Sequence, residues 1–254
     1  MFLRLTATRY ITPLREGGSL PAIVDADDGG QYVVKFRGAG QGPKALIAEA
    51  LAAGLARVLG LPVPQPAVIS LAEGFGMGEP DAEIQDLLRG SVGLNFALAY
   101  LPGAIGFECG VDGERLGPDL AAGIVWFDAL ITNVDRTPRN PNLLLWRDRV
   151  WMIDHGASFY FHHGAGDWTA RADVRFPQVR DHVLLPFAGD LRAADKRLRP
   201  LLTEEAIQRT VQSLPEEWLE GDAGAVREAY AAFLAARLNG PRSWLEEALD
   251  AAAR

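Results

Sequence analysis

Short alternating apolar runs open the chain. Leu3 to Leu14, Leu20 to Asp25 and Gln31 to Phe36 are rich in β-formers and read as three strands. Arg15-Glu16-Gly17-Gly18-Ser19 and Asp27-Asp28-Gly29-Gly30 carry the turn chemistry between them, which predicts an antiparallel meander. From Pro43 to Leu59 the apolar positions change to helical spacing, with Pro43 suited to the first turn and Gly60 and Pro62 ending the run. Leu61-Pro62-Val63-Pro64-Gln65-Pro66 is too proline-punctuated to be a central strand. Ala67 to Leu71 and Gly90 to Leu101 read as further strands, and Pro102-Gly103 then breaks the pattern, marking a boundary between residues 1–102 and 103–254.

The second part reads as mainly helical. Phe107 to Pro118 is loop-like, and Asp119 to Thr132 is a helix with an acidic N-cap that leads straight into Asn133-Val134-Asp135. Leu143 to Trp146 and Val150 to Ile153 flank the polar pair Arg147-Asp148, which suits two short strands joined by a tight turn. Asp173 to Leu185 is expected to pack across this part. Thr203 to Ser213, Ala223 to Leu238 and Ser243 to Ala253 read as helices, the first opening on a capping-box-like Thr-Glu-Glu.

Candidate chemistry collects at the outer ends of the predicted hairpin. Asp135, Asn140 or Asn142, and Asp154 are brought close in space there. Two carboxylates and an amide oxygen can hold Mg²⁺ and orient a hydroxyl, as phosphoryl transfer requires. Lys35 lies inside the third strand, and Glu49 lies in the following helix among Ile47, Ala48, Ala50 and Leu51. A glutamate in such surroundings either faces water or meets a cation, and Lys35 is the nearest candidate.

Composition narrows the classes. With 254 residues and 48% hydrophobic content the chain can bury a sizeable core. A net charge of −8 argues against sequence-independent nucleic-acid binding, although Arg136, Arg139, Arg147, Arg149, Arg171, Arg175 and Arg180 gather in one region and suit an anionic ligand. No apolar run approaches a membrane span, and a lone Cys109 without a secretory leader pattern points to the cytoplasm. Gly38, Gly40 and Gly42 follow a strand, but their spacing lacks the last-glycine offset of a dinucleotide fingerprint, so a linker is the simpler reading. His155, His162, His163 and His182 fall in one stretch and, with Asp135 and Asp154, permit a metal-dependent phosphoesterase as an alternative.

The string Leu130-Ile131-Thr132-Asn133-Val134-Asp135-Arg136-Thr137-Pro138-Arg139-Asn140-Pro141-Asn142, followed by Trp151-Met152-Ile153-Asp154-His155-Gly156, resembles the HipA-like kinases. It is more distantly similar to phosphoinositide kinases, whose catalytic segment is D-R-H-x-x-N and whose metal segment begins I-D. Lys35, Glu49, the run Leu59 to Pro64 and the later Leu214-Pro215-Glu216-Glu217-Trp218-Leu219 match the family in order, so the resemblance covers most of the chain.

The resemblance implies an α+β, bilobal protein-kinase-like fold with a β-rich N-terminal lobe and a mainly helical C-terminal lobe. It implies ATP and Mg²⁺ as cofactors, and transfer of the γ-phosphoryl group to a hydroxyl, with protein Ser/Thr as acceptor. Asp135 would be the catalytic carboxylate, Asn140 the metal ligand at the D-x-x-x-x-N offset, and Asp154 the bridge from metal to phosphates. Lys35 and Glu49 would grip the phosphates, Gly17-Gly18-Ser19 would cover them, and the backbone of Ala99, Tyr100 and Leu101 would form the adenine hinge. Two departures stand out: His155 replaces the phenylalanine of D-F-G, and Asn142, directly before the apolar strand, competes with Asn140 as metal ligand. A nucleotide-binding pseudokinase without turnover is the other alternative.

Overall fold

The N-terminal strands close on themselves. The structure, a computed structural model, describes residues 2–14, 20–40, 42–164 and 166–253. In it β1 (Leu3–Pro13), β2 (Ala22–Ala26) and β3 (Gln31–Lys35) form the expected meander. With β4 (Pro66–Leu71) and β5 (Gly93–Ala99) they make a closed barrel in the order β1-β2-β3-β5-β4. Closure is the part that local patterning did not predict. It depends on β1 serving two partners: Leu3 to Thr6 pair in parallel with β4, while Ala7 to Pro13 pair antiparallel with β2. Irregularities between Ala7 and Arg9 and between Tyr10 and Thr12 accompany the change of partner, and such bulges bend and twist a strand.

Helix α1 (Gly42–Val58) fills the gap between barrel and helical part. It is apolar nearly all round, the mark of a buried helix, and its end is closed by Gly60 at φ 70 with Leu61 N–H donating to Ala56 O. One apolar cluster lies inside the barrel, around Val24, Val34, Ile69 and Ala97. A larger one runs without a break from Phe2 and α1 into the C-terminal helices. The loop after α1 also touches the central hairpin, because Met152 N–H donates to Pro62 O at 2.7 Å.

Five elements differ from the sequence-based expectation. Helix α2 (Ala82–Arg89), capped by the Asp81 side chain, precedes β5 and shortens it to begin at Gly93. Beyond Pro102, the short strand β6 (Ile105–Gly106) pairs with the hairpin, and the loop-like stretch contains the single turn α3 (Cys109–Asp112). Helix α4 (Pro118–Leu130) starts one residue earlier than expected, with Pro118 in its first turn and Gly117 at the cap, so Asp119 is a first-turn acid.

Strands β7 (Leu143–Trp146) and β8 (Arg149–Met152) form the hairpin. Arg147 and Asp148 both have positive φ, 50 and 57, as a two-residue type I′ turn demands. Asp173 to Leu185 is largely irregular and is followed by α5 (Leu191–Leu198), then α6 (Glu204–Gln212), α7 (Ala223–Asn239) and α8 (Ser243–Ala252). Buried Arg237 of α7 closes the end of α4, donating to Leu130 O at 2.6 Å and Ala129 O at 2.8 Å. These orphan carbonyls would otherwise lack partners, so the contact fixes where the chain leaves α4 toward Asp135.

Candidate functional site

The site is assembled by four elements: the end of β3, the middle of α1, the loop after α4 and the open end of the β7–β8 hairpin. Lys35 is the last residue of β3, paired with Phe96 of β5. Its Nζ reaches both Glu49 Oε1 on α1 and Asp154 Oδ1 beyond β8. Glu49 is fully buried, so the helix glutamate does meet a cation, and its Oε2 has no partner in the protein.

Burial and charge compete at this triad. For Lys35 burial acts to lower the pKa, but the carboxylates of Glu49 and Asp154 outweigh it and raise it. Burial also dominates at Glu49, where the nearby Asp154 charge adds to it and the pKa rises despite Lys35. Asp154 shifts the other way: burial pushes it up, yet Lys35 holds it below the ordinary carboxylate range. The opposite directions follow from exposure, since the Asp154 side chain keeps 44% of its surface and Glu49 none. Asp154 is thus the carboxylate best able to take a second cation.

Asp135 stands opposite, tied by its N–H to Asn133 Oδ1 at 3.2 Å. Asn140 Nδ2 donates to Asp135 Oδ2 at 2.8 Å, and Asn142 Nδ2 approaches the same oxygen at 3.3 Å. Asn140 is exposed, whereas Asn142 is buried at the foot of β7. Asn142 and Asp154 both adopt left-handed backbone, φ 50 and 54, which Asn and Asp tolerate better than other side chains. Ile153 N–H donates to Asn142 O at 3.0 Å, so these two residues leave the hairpin side by side.

A cavity of about 500 Å³ is lined by Lys35, Glu49, Asp135, Asn140, Asn142 and Asp154 together. Phe107, Leu143 and Ile153 give it an apolar wall. Ala39 and Gly40 of the β3–α1 loop and Gly42 at the start of α1 line it as well, in the stretch that reads in sequence as a linker. Space is open beside both glycines, and Gly42 has φ 62. Their position directly between a candidate lysine strand and a glutamate helix was the signal.

Other expectations fall elsewhere. Gly17, Gly18 and Ser19 lie outside the described residues. Ala99, Tyr100 and Leu101 do not line the cavity; the N–H groups of Ala99 and Tyr100 are donated to Gln65 O and Gln31 O, both at 2.9 Å. The four histidines do not gather at one site: His162 bonds Tyr230 and lies 3.1 Å from the neighbouring His163, His182 bonds Asp128, and His155 is buried with neither ring nitrogen partnered. Nor do the arginines form one anion site. Arg175 and Arg180 are paired with Glu247, Arg147 lies over the Trp146 ring at 4.2 Å, and Arg136 is buried against Asp128. These four charges are already met by a carboxylate or an aromatic face.

No curated protein matches the chain. Among solved structures it is similar to the Helicobacter pylori proinflammatory kinase CtkA, with 13% identity over 100% of this chain and 99% of that one and a TM-score of 0.61, which shows a shared fold. The Golgi casein kinase with Mn/ADP bound follows at 12% identity, 95% of this chain, 74% of that one and a TM-score of 0.48. The family model described as HipA-like kinase matches residues 8–239, nearly the whole chain, and the protein accordingly belongs to the HipA-like kinases and is a phosphotransferase.

Proposed function

We propose that this kinase transfers the γ-phosphoryl group of ATP to a protein Ser or Thr hydroxyl with Mg²⁺ as the metal, in the cytoplasm. The observation that carries the reading is Lys35 held between Glu49 and Asp154 on one cavity with Asp135. The donor set fits the cofactor: a partly exposed carboxylate and an amide supply hard oxygen ligands, and the two open glycines leave room for phosphates beside an ammonium. Bound MgATP would supply the transferable phosphoryl group and the divalent charge that neutralises it.

The residues then divide the work. Glu49 keeps Lys35 at the cavity wall, where its ammonium can exchange Asp154 for phosphate oxygens. Asn142 and Asp154, leaving the hairpin side by side, form the metal end. Asn140 holds Asp135 Oδ2, so Asp135 presents its other oxygen to the acceptor hydroxyl and takes the proton. As the acceptor oxygen bonds to the γ-phosphorus, the bond from that phosphorus to the bridging oxygen breaks and ADP leaves. Residues 1–102 and 103–254 act in this reading as two lobes around the nucleotide.

Incubating the protein with Mg²⁺, γ-labelled ATP and candidate protein acceptors, beside Asp135→Ala, tests this. Label on protein in the wild type alone supports it. Nucleotide binding with no transfer to any acceptor or to water would favour a pseudokinase, and phosphate release from model esters without nucleotide would overturn both.

A further inference from the structure

A buried arginine in the helical part is left unused by the phosphotransfer chemistry; its Nε and Nη1 are bonded and its Nη2 has no partner among the described residues. Arg136 directly follows Asp135 and is 1% exposed. Its Nη1 donates to Asn142 O at 2.5 Å and lies 3.4 Å from both Pro141 O and Ile153 O. Those carbonyls belong to the residues that enter β7 and leave β8, so one guanidinium arm spans the open end of the hairpin. Its Nε donates to Asp128 Oδ2 on α4.

Asp128 is fully buried in turn, and both of its carboxylate oxygens accept hydrogen bonds. Asn133 Nδ2 donates to Oδ1 at 3.0 Å, and His182 Nε2 lies 2.9 Å from Oδ2. Leu184 N–H donates to His182 Nδ1, which leaves the ring proton on Nε2 and makes His182 a neutral donor to Asp128. Arg136 O also accepts from Val183 N–H at 3.0 Å. The cluster joins α4, the Asp135 loop, the hairpin and the 182–184 segment, and it reaches the cavity only through the backbone of Pro141, Asn142 and Ile153, since none of its own side chains lines it.

A buried carboxylate–guanidinium pair is weak grounds for stability alone, since apolar residues of similar volume commonly serve as well. Its Nη1 arm here has a specific target, the carbonyls of Pro141, Asn142 and Ile153, which fix the backbone that directs Asn142 and Asp154. We propose that Arg136 is a positioning residue for the metal end of the site, with Asp128 and His182 fixing its guanidinium. The proposal rests on the reading of Asn142 and Asp154 as metal ligands. Lysine at 136 would keep the charge for Asp128 but has no second arm for the hairpin carbonyls.

The test compares wild type, Arg136→Lys and the milder His182→Gln. Three quantities are measured: Mn²⁺ affinity by electron paramagnetic resonance with ADP present, amide exchange at Ile153, and steady-state ATP turnover. For Arg136→Lys we expect Mn²⁺ binding and kcat each weakened about tenfold or more, as for other partners behind a metal ligand, with little change in KM for ATP. Exchange at Ile153 should rise while Trp151, further along the β7–β8 ladder, stays protected. His182→Gln should move the same quantities less, and it stands in if Arg136→Lys folds poorly. Unchanged Mn²⁺ affinity and Ile153 exchange in folded variants would overturn the proposal. Wild type that binds no Mn²⁺ would instead refute the metal-site reading, while Ile153 exchange still reports on the clamp.

Discussion

Lys35 and Asp154 are 119 positions apart in the chain and share a direct ion pair. One closes a barrel strand and the other leaves the hairpin, so the contact defines the distance between the strand-rich part and the open end of the hairpin. Because Glu49 holds the same ammonium, Lys35 can release Asp154 without becoming a lone buried cation.

Replacing Lys35 should separate stability from activity. Lys35→Met leaves Glu49 fully buried and unpaired, which is expected to cost about 3–5 kcal/mol in urea unfolding together with loss of phosphotransfer. The double variant Lys35→Met with Glu49→Leu removes both charges and should recover much of the stability and none of the activity. Equal destabilisation in the single and double variants would show that the pair is not coupled.

The features legible in sequence are those where a local rule is broken or met within a few residues. The hairpin could be read because Arg147-Asp148 interrupts two apolar runs, and Glu49 because an acid in an Ala/Leu-rich helix needs a partner. Barrel closure was hidden, since Leu3 meets Ala67 across a separation that leaves no period. The Arg136 clamp was hidden for another reason: an arginine among arginines reads as surface. Its partner carried the better signal, because Asp128 between Phe127 and Ala129 poses the same question as Glu49.

The two asparagines should separate by their metal dependence. Asn142→Ala is expected to raise the Mg²⁺ concentration for half-maximal turnover by about tenfold or more. Asn142→Gly controls for the left-handed backbone, which costs a non-glycine residue roughly 1–2 kcal/mol. Asn140→Ala should lower kcat with the Mg²⁺ dependence unchanged, because its contact is to Asp135. Reversed behaviour in Mg²⁺ titrations would exchange the two roles.

Gly42 combines φ 62 with open space at the cavity wall. Gly42→Val should therefore strain the backbone and crowd the phosphate side, raising KM for ATP, while Gly42→Ala should cost about 1 kcal/mol of stability with a smaller effect on KM. An unchanged KM for ATP in the valine variant would place the phosphates elsewhere.

His155 makes the kinase sensitive to acid through a buried residue that does not line the cavity. Burial, helped by Arg136, lowers its pKa from 6.5 to about 3, so the native ring is neutral through most of the acid range. The unfolded chain binds this proton below about pH 6.5, and the native state does not until about pH 3. Stability from this residue is thus full above pH 6.5 and falls as pH drops through that window, by about 1.4 kcal/mol per pH unit. His162, lowered to about 3 chiefly by burial, adds a second slope of the same sign. His155→Phe removes the first slope and also two unpartnered ring nitrogens, while keeping an aromatic ring against Phe127. Urea midpoints at pH 7.5, 6 and 4.5 should then converge partway in the variant, with stability at pH 7.5 equal to or above wild type and phosphotransfer retained. A variant whose midpoint falls with acid as steeply as wild type would assign the slope to other groups.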